Sequence, residues 1–221
     1  GKYDIGFAQD ADADRLVIVD ETGHFIGEDY SLAFCIDHIL REETAAKKHV
    51  VVNLSTSNII QWIADQHQAT LTQTKIGESN VTKEIKDSKA TVGGEGNGGV
   101  IYPKVGWGRD SLTGMVIALQ HLCSQEKTVS QVVSTYPKYT LIRDKFQVET
   151  KDQIATVLET IQAKYQDKKQ NTEDGVKVYL NDAWIHIRPS NTEPIVRIFI
   201  EAPSKEAATT LMSEVKASCS V

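Results

Sequence analysis

Residues 49–76 read HVVVNLSTSNIIQWIADQHQATLTQTKI, and the pattern of apolar side chains changes twice along them. HVVVNLS is a nearly continuous apolar run, which is typical of a parallel strand buried on both faces. SNIIQWIADQHQ then predicts a helix, and TLTQTKI predicts a second strand. This succession predicts a parallel sheet that is covered by helices on both faces.

The same alternation extends on both sides of this stretch. Helical spacing recurs at 28–43, 80–88 and 109–125, and the strand at 90–103 is broken by five glycines. Upstream, residues 2–10 predict a strand, and two apolar runs around Asp20-Glu21-Thr22-Gly23 predict a hairpin. This part of the chain is therefore expected to have an α/β fold.

The pattern changes at residues 126–138, and a second kind of domain follows. A strand at 139–150 precedes a helix, which Thr150 and Gln153 are expected to open as a capping-box pair. Three strands then lie close together in sequence, before a final helix at 205–218. Neighbouring strands with helices at each end predict a small α+β domain with an antiparallel sheet.

Composition and charge narrow the function classes. The 221 residues carry a net charge of −6 and contain no basic run, so nucleic acid and anionic membranes are poor partners. No apolar run approaches the roughly 18 residues of a membrane span. Cys35, Cys123 and Cys219 are widely spaced and odd in number, which is typical of free thiols in a reducing cytoplasm. Because the chain opens at Gly1 on a strand already under way, we expect a fragment with a region missing upstream.

AQDADADRLV, residues 8–17, holds three aspartates in alternate positions, and an arginine follows at once. Asp10, Asp12 and Asp14 would repel one another without a counter-charge, and clustered carboxylates suit a hard divalent cation, Mg²⁺ or Ca²⁺. An EF-hand is a partial match, but Arg15 stands where that loop needs glycine, and the flanks predict strands. Arg15 instead favours phosphate as a further ligand of the cation. A solvated turn with coincidental acids is the alternative.

GGEGNGG, residues 93–99, follows a strand, and its glycines let a ligand approach the backbone closely. Glu95 and Asn97 carry the only side chains of this loop that can bond a ligand, and a carboxylate beside an amide suits sugar hydroxyls. A phosphate-cradling loop is one rival, although G-K-[ST] is absent and Glu95 would repel phosphate. A plain glycine-rich turn is the other rival.

Lys75 ends a predicted strand just before Gly77. Strand ends of α/β domains face ligand crevices, so a lysine there is a candidate acid or base. A solvated surface lysine is the alternative.

RPSNTEPIVR, residues 188–197, connects two predicted strands. Pro189 and Pro194 stiffen the connection. Its guanidiniums, hydroxyls, amide and turn N–H groups form a cup suited to an anion such as phosphate. The side chains of this phosphate cup are Arg188, Ser190, Asn191, Thr192 and Arg197. A turn whose two arginines make surface salt bridges is the alternative.

The segments DADADR, TKIG, GGEGNGG and RPSNTEPIVR occur in an order and spacing that resemble the α-D-phosphohexomutase superfamily. That superfamily includes phosphoglucomutase, phosphomannomutase and phosphoglucosamine mutase. The likeness runs over nearly the whole chain and implies the C-terminal portion of a four-domain enzyme. Residues 1–26 would be the tail of domain 2, residues 27–126 an α/β domain 3 with a parallel sheet, and residues 139–221 an α+β domain 4 with an antiparallel sheet.

The resemblance also implies roles for the residues named above. Asp10, Asp12 and Asp14 would bind Mg²⁺ together with a phosphoserine oxygen. Arg15 would lie by that phosphate, and Lys75 would serve as general acid or base. Glu95 and Asn97 would hold sugar hydroxyls, and the phosphate cup would grip the phosphate that is not transferred. Many relatives have serine where Asn97 stands and histidine where Gly99 stands, which leaves the sugar open.

The implied activity is transfer of a phosphoryl group between O1 and O6 of a hexose phosphate, through a phosphoserine enzyme and a hexose 1,6-bisphosphate. The phosphoserine loop of the family has no counterpart here, so we expect the chain alone to be inactive and to depend on missing N-terminal domains. Glucose, mannose and glucosamine phosphates all stay open as substrates. The rival interpretation is a non-catalytic sugar-phosphate or Ca²⁺-binding module.

Overall fold

The computed structural model describes residues 2–148, 150–190 and 193–219. The chain divides into two compact units, with the boundary between Pro137 and Lys138. Within the described ranges, no helix has the combination of length and apolar character that a membrane span requires.

Unit 1, which precedes this boundary, alternates strands and helices. Its strands are β1 (Gly6–Gln9), β2 (Leu16–Val19), β3 (His49–Asn53), β4 (Thr70–Thr74), β5 (Val92–Glu95) and β6 (Gly99–Ile101). Its helices are α1 (Glu28–Glu42), α2 (Ile59–Gln66), α3 (Glu78–Ser88), α4 (Ser111–Gln125) and α5 (Val129–Val133). The predicted α/β class is confirmed.

The main sheet of unit 1 is mixed, although the sequence predicted parallel strands. Its order is β4-β3-β5-β6, and β3 runs parallel to both β4 and β5. β6 is antiparallel to β5, with Glu95 opposite Gly99. The reason is the glycine-rich loop, which turns the chain back within a few residues and leaves no room for a helical crossover.

Helices cover both faces of this sheet, as predicted. Successive residues of a strand point to opposite faces. A Cβ added at Gly93 would meet Ile85 of α3 at 2.6 Å, whereas one added at Gly94 would meet Leu32 of α1 at 2.5 Å. These glycines allow α3 and α1 to pack closely against β5 from opposite sides.

β1 and β2 form a separate two-stranded antiparallel sheet. The hairpin predicted after β2 is present as a turn, in which the N–H of Asp20 donates to the carbonyl of His24 at 2.9 Å. Its second arm is only a single bridge between Val19 and Phe25, because Phe25 is left exposed and Gly27 leads directly into α1.

A buried polar cluster joins α1 and α4 inside unit 1. Asp37 accepts a hydrogen bond from Tyr136 Oη at 2.8 Å and lies 2.6 Å from His67 Nε2. His121 Nε2 lies 3.1 Å from the same Tyr136 hydroxyl. Burial lowers the pKa of His121 to about 4, so this imidazole is neutral in the folded unit near pH 7.

Unit 1 should therefore lose stability as the pH falls from 6.5 towards 4. Unfolded, His121 binds a proton near its ordinary pKa, whereas the folded unit resists protonation. The unfolded state then holds more protons, and stability falls by up to about 1.4 kcal/mol per pH unit. His38, whose pKa burial also lowers, adds in the same direction. Urea unfolding followed at unit 1 amides should show a flatter pH dependence for His121→Gln than for wild type. Equal slopes would contradict this prediction.

Unit 2, which begins at Lys138, is the predicted α+β domain. Its strands are β7 (Thr140–Gln147), β8 (Lys169–Asn171), β9 (Val176–Tyr179), β10 (Trp184–Pro189) and β11 (Ile195–Ala202), and its helices are α6 (Lys151–Lys164) and α7 (Lys205–Ser218). The antiparallel order is β7-β11-β10-β9-β8. The Thr150–Gln153 capping box is confirmed at the start of α6. The short β8 was not predicted, because KQN carries no apolar alternation.

Candidate functional site

The loop between β1 and β2 gathers the three aspartates predicted to bind a metal. One carboxylate oxygen from each of Asp10, Asp12 and Asp14 lies within 4.8 Å of the others. The N–H of Ala13 donates to the carbonyl of Asp10 at 3.1 Å, which closes a turn, and Ala13 adopts a φ of 59°. The carbonyl of Ala13 in turn accepts from Ser111 Oγ at 2.6 Å, so the first residue of α4 holds the loop in place.

Arg15 balances only part of this charge. Its Nε lies 3.3 Å from Asp10 and 3.6 Å from Asp14. Desolvation acts to raise the pKa of Asp10, but the backbone hydrogen bond from Arg15 and the charge of the Arg15 guanidinium outweigh it, and this pKa is lowered. Desolvation raises the pKa of Asp14, with Arg109 opposing the rise and the charges of Asp12 and Asp10 adding to it. The loop therefore retains the excess negative charge that a cation site needs.

Asp14 has two differently placed oxygens. Its Oδ2 accepts a hydrogen bond from Arg109, whereas its Oδ1 is buried and makes no hydrogen bond. Arg15 Nε lies 3.6 Å from this Oδ1, too far for a hydrogen bond. A buried carboxylate oxygen that makes no hydrogen bond costs free energy, so a cation bound there would be favourable. An all-carboxylate donor set of this kind fits Mg²⁺.

Glu95 lies at the end of β5 and is held from several sides. Its Oε1 accepts from Asn53 Nδ2 at 2.7 Å and from the N–H of Gly77 at 3.1 Å. Its Oε2 accepts from Arg109 Nη1 at 2.9 Å. Glu95 is only 4% exposed, so a sugar hydroxyl would have to use the lone pair that these three donors leave.

Asn97 also faces Arg109. With its amide oxygen turned towards the guanidinium, it accepts from Arg109 Nη1 at 2.6 Å. The structure therefore brings both predicted sugar ligands, Glu95 and Asn97, onto one arginine. Arg109 was not predicted as a site residue. Its signal in the sequence is the motif GRDS, which follows the glycine-rich loop and leads into α4.

The carboxyl ends of the three parallel strands meet at one edge of the sheet. Asn53 ends β3, Lys75 follows β4, and Glu95 ends β5. Lys75 is exposed at this edge, where ligands of open α/β sheets bind. Asn53 was not predicted as a site residue, because it reads as the polar end of a buried strand.

Gly98 fastens the glycine-rich loop to the start of β2. It adopts a φ of 86°, and a Cβ there would lie 2.1 Å from the carbonyl oxygen of Leu16. The sequence predicted that these glycines let a ligand approach the backbone closely. At Gly98, the group that approaches closely is the backbone carbonyl of Leu16.

Gly98→Ala should destabilise unit 1 more than Gly23→Ala does. Gly23 has a similar φ of 89°, but nothing lies within 4 Å of its added Cβ. The control should lose about 1–2 kcal/mol from the left-handed conformation alone. Gly98→Ala adds a backbone clash, which should cost at least about 1 kcal/mol more. Urea unfolding at unit 1 amides measures both, and equal losses would show that the contact with Leu16 is unimportant.

The predicted phosphate cup lies in unit 2, between β10 and β11. Arg188 and Arg197 are direct cross-strand partners, so their side chains share one face of the sheet. Arg188 is 7% exposed, and its Nε donates to Asp174 at 3.0 Å. Arg197 is paired with Glu193 at 3.0 Å. Both guanidiniums have carboxylate neighbours, as the salt-bridge alternative expects, and a phosphate would add to these contacts or displace them.

Lys145 extends this row of cations. It lies opposite Arg197 on β7, so three cationic side chains stand abreast on adjacent strands. Like charges directly opposite one another destabilise a sheet unless an anion offsets them. An open depression of about 390 Å³ adjoins two of these cations, Lys145 and Arg197. Its other lining residues are Arg143, Asp144, Glu193, Ile195 and Phe199.

The remaining members of the cup are Ser190, Asn191 and Thr192. The N–H of Ser190 donates to the carbonyl of Ile195 at 2.9 Å, which narrows the connection between the strands. Asn191 and Thr192 lie outside the described residues.

Comparison with known proteins places this two-unit architecture in a class. The alpha/beta/alpha domain III of phosphoglucomutase/phosphomannomutase matches residues 27–139, and the C-terminal domain of the same group matches residues 145–218. An α/β unit followed by an antiparallel α+β unit is thus the pairing of these two domains. The chain belongs to the phosphoglucomutase/phosphomannomutase family.

Relatives cover nearly all of the chain. The phosphoglucomutase/phosphomannomutase of Thermococcus kodakarensis is 38% identical, over 93% of this chain and 44% of that protein. A probable phosphoglucosamine mutase of Methanopyrus kandleri is 35% identical, over 96% of this chain and 46% of its own length. The chain therefore spans less than half the length of these curated relatives.

Solved structures share the fold at lower identity. A phosphoglucomutase/phosphomannomutase family protein from Burkholderia thailandensis has a TM-score of 0.81 at 21% identity, over 99% of this chain and 46% of that one. Aspergillus fumigatus N-acetylphosphoglucosamine mutase, solved in complex with GlcNAc-6P and magnesium, has a TM-score of 0.67 at 16% identity, over 96% of this chain and 51% of that one.

Proposed function

We propose that this chain is the C-terminal portion of a phosphohexose mutase. Such an enzyme moves a phosphoryl group between O1 and O6 of a hexose phosphate, through a phosphoserine and a hexose 1,6-bisphosphate. The observation that carries the proposal is the aspartate loop, where three carboxylates converge and a buried Asp14 oxygen lacks a hydrogen-bond partner. The relatives are named phosphoglucomutase/phosphomannomutase, probable phosphoglucosamine mutase and phosphomannomutase, and these names support this substrate class.

The domain division belongs to the same proposal. Residues 1–26 would end domain 2, residues 27–126 would form domain 3, and residues 139–221 would form domain 4. The phosphoserine would come from N-terminal domains outside this chain, which accords with its share of the relatives' length. The three free thiols support a place in the reducing cytoplasm.

Asp10, Asp12 and Asp14 would hold Mg²⁺, together with an oxygen of the phosphoserine. Mg²⁺ when bound stabilises the negative charge on the transferring phosphoryl group. The magnesium in the Aspergillus complex supports this choice of cation. Arg15, half exposed beside the loop, would bind the oxygens of the same phosphate.

The sugar and the second phosphate would be held by other residues. Glu95 would accept hydrogen bonds from sugar hydroxyls, and Asn97 would both donate to them and accept from them. Lys75 would exchange a proton with the reacting hydroxyl. The phosphate cup would grip the phosphate that is not transferred, with Arg188 and Arg197 as its charged walls. Because the bisphosphate must turn around, this cup would accept either phosphate of the intermediate.

A coupled assay tests the proposal on glucose, mannose and glucosamine phosphates. The chain alone should show no turnover with Mg²⁺ and a hexose 1,6-bisphosphate, because it lacks the phosphoserine loop. The chain joined to its serine-bearing region should turn over at least one of the three sugars. Turnover by the chain alone would mean that the phosphoryl carrier lies within it. A joined protein that binds sugar phosphate or Ca²⁺ without turnover would favour the non-catalytic module.

A further inference from the structure

One guanidinium connects the aspartate loop with the glycine-rich loop. Arg109 directs each of its three nitrogens to a different carboxylate: Nε lies 3.3 Å from Glu78, Nη1 lies 2.9 Å from Glu95, and Nη2 contacts Asp14. The backbone N–H of Arg109 adds a hydrogen bond of 3.0 Å to Glu78. Its side chain is only 11% exposed, so these contacts are largely shielded from solvent.

The shape of the guanidinium is essential to this arrangement. A planar fork with donors on three nitrogens reaches three acceptors at once, which the single ammonium of lysine does not match. The chain leaves space for it at Gly99, where an added Cβ would lie 2.4 Å from Arg109 Cδ.

Arg109 also determines which carboxylate oxygen of Asp14 remains without a hydrogen bond. By occupying Oδ2, it leaves Oδ1 as the buried oxygen without a hydrogen bond in the aspartate cluster. The same guanidinium occupies Oε2 of Glu95 and lies beside Asn97. One side chain thus fixes both the carboxylate that would bind the cation and the carboxylate that would bind the sugar.

The carboxylates around Arg109 outnumber the guanidiniums, so several of them share the positive charge of Arg109. Two guanidiniums, those of Arg15 and Arg109, face five carboxylates, which leaves an excess of three negative charges. The carboxylates are those of Asp10, Asp12, Asp14, Glu78 and Glu95. Arg109 therefore divides one positive charge among partners that compete for it.

We propose that Arg109 is a positioning residue that couples cation binding at Asp14 to the negative charge of Glu95. The inference rests on the proposed function, since it takes Asp14 as a cation ligand and Glu95 as a sugar ligand. When Asp14 binds a cation, its ion pair with Arg109 weakens, and the ion pair between Arg109 and Glu95 becomes stronger. When Glu95 is neutralised, the ion pair between Arg109 and Asp14 becomes stronger, and Arg109 competes with the cation. By linkage, this coupling acts equally in both directions.

A double-mutant cycle on the 221-residue chain tests the coupling, with Mg²⁺ affinity measured by calorimetric titration with MgCl₂. Glu95→Gln should weaken Mg²⁺ binding, because it frees Arg109 to hold Asp14 and also removes a nearby negative charge. In the Arg109→Met background only the charge effect remains, so the loss should shrink by about threefold or more. Arg41→Met is the matched control, since Arg41 pairs with Asp37 elsewhere in unit 1 and should leave the effect of Glu95→Gln unchanged.

The outcomes separate this inference from the proposed function. An equal effect of Glu95→Gln in the wild-type and Arg109→Met backgrounds would overturn the coupling while the cation site stands. Failure of the wild-type chain to bind Mg²⁺ at all would overturn the coupling, whereas the proposed function, in which a phosphoserine oxygen completes the site, would stand. If Arg109→Met does not fold, Arg109→Lys provides a second comparison, in which the charge stays and the three-way contact is lost, and the effect of Glu95→Gln should again shrink. Retention of full coupling by Arg109→Lys would show that charge alone, rather than the fork, is responsible.

Discussion

Asp12→Asn should lower the turnover of the proposed full-length mutase by about 10²–10³-fold at limiting Mg²⁺. The substitution removes one of three carboxylates whose oxygens lie within 4.8 Å of one another, so Mg²⁺ loses both charge and a ligand. Mg²⁺ stabilises the transition state more than the bound substrate. The loss should therefore appear mainly in kcat, with a smaller change in KM. Steady-state kinetics over a range of Mg²⁺ concentrations would measure it, and saturating Mg²⁺ should restore part of the rate.

Asp87→Asn is the matched control for this experiment. Asp87 is an exposed carboxylate on α3 that pairs only with Lys83 among the described contacts, so its loss should leave the Mg²⁺ dependence unchanged. If Asp12→Asn behaved like this control at limiting Mg²⁺, the aspartate loop would be a solvated turn.

Arg188→Ala should weaken binding of glucose 1-phosphate to the proposed full-length protein by about ten- to a hundredfold. Arg188 is buried beside Asp174 and faces the same side of the sheet as Arg197. A hydrogen bond to a charged group contributes about 1.5–3 kcal/mol, which sets the size of the loss. Arg188→Lys should rescue only part of it, because an ammonium does not reproduce the bidentate contact. Calorimetric titration would give the affinities.

The salt-bridge alternative for Arg188 predicts a different result. It expects lower stability of unit 2 and no change in ligand affinity. Arg41→Ala removes another arginine that pairs with an aspartate, and it should leave glucose 1-phosphate binding unchanged. Equal affinities of wild type and Arg188→Ala would support the salt-bridge alternative.

The sequence predicted those parts of the fold whose causes are local. The apolar run HVVVNLS predicted a buried parallel strand, and β3 is buried from Val50 to Asn53. Thr150 and Gln153 predicted a helix start, because a capping box needs only residues three apart. β8 and α5 were not predicted, since both are short and neither carries a strong periodicity.

The site was predictable only where its residues cluster in the sequence. Asp10, Asp12 and Asp14 are two positions apart, so the sequence itself suggested that they act together. Arg109 lies far along the chain from Asp14 and reads as an ordinary loop arginine. Its role depends on how the fold of unit 1 brings the start of α4 beside the loop between β1 and β2. A local sequence pattern does not indicate such a contact.

The proposed function requires this chain to supply the metal loop, the sugar loop and the phosphate cup of a phosphohexose mutase. The most direct test is turnover of glucose, mannose and glucosamine 1-phosphates by a chimera with the preceding portion of the Thermococcus kodakarensis relative, which is 38% identical over this region. We predict turnover that requires Mg²⁺ and is abolished when Asp10, Asp12 and Asp14 are all replaced by asparagine. A folded chimera that binds Mg²⁺ and sugar phosphate yet turns over none of the three sugars would contradict the proposed function.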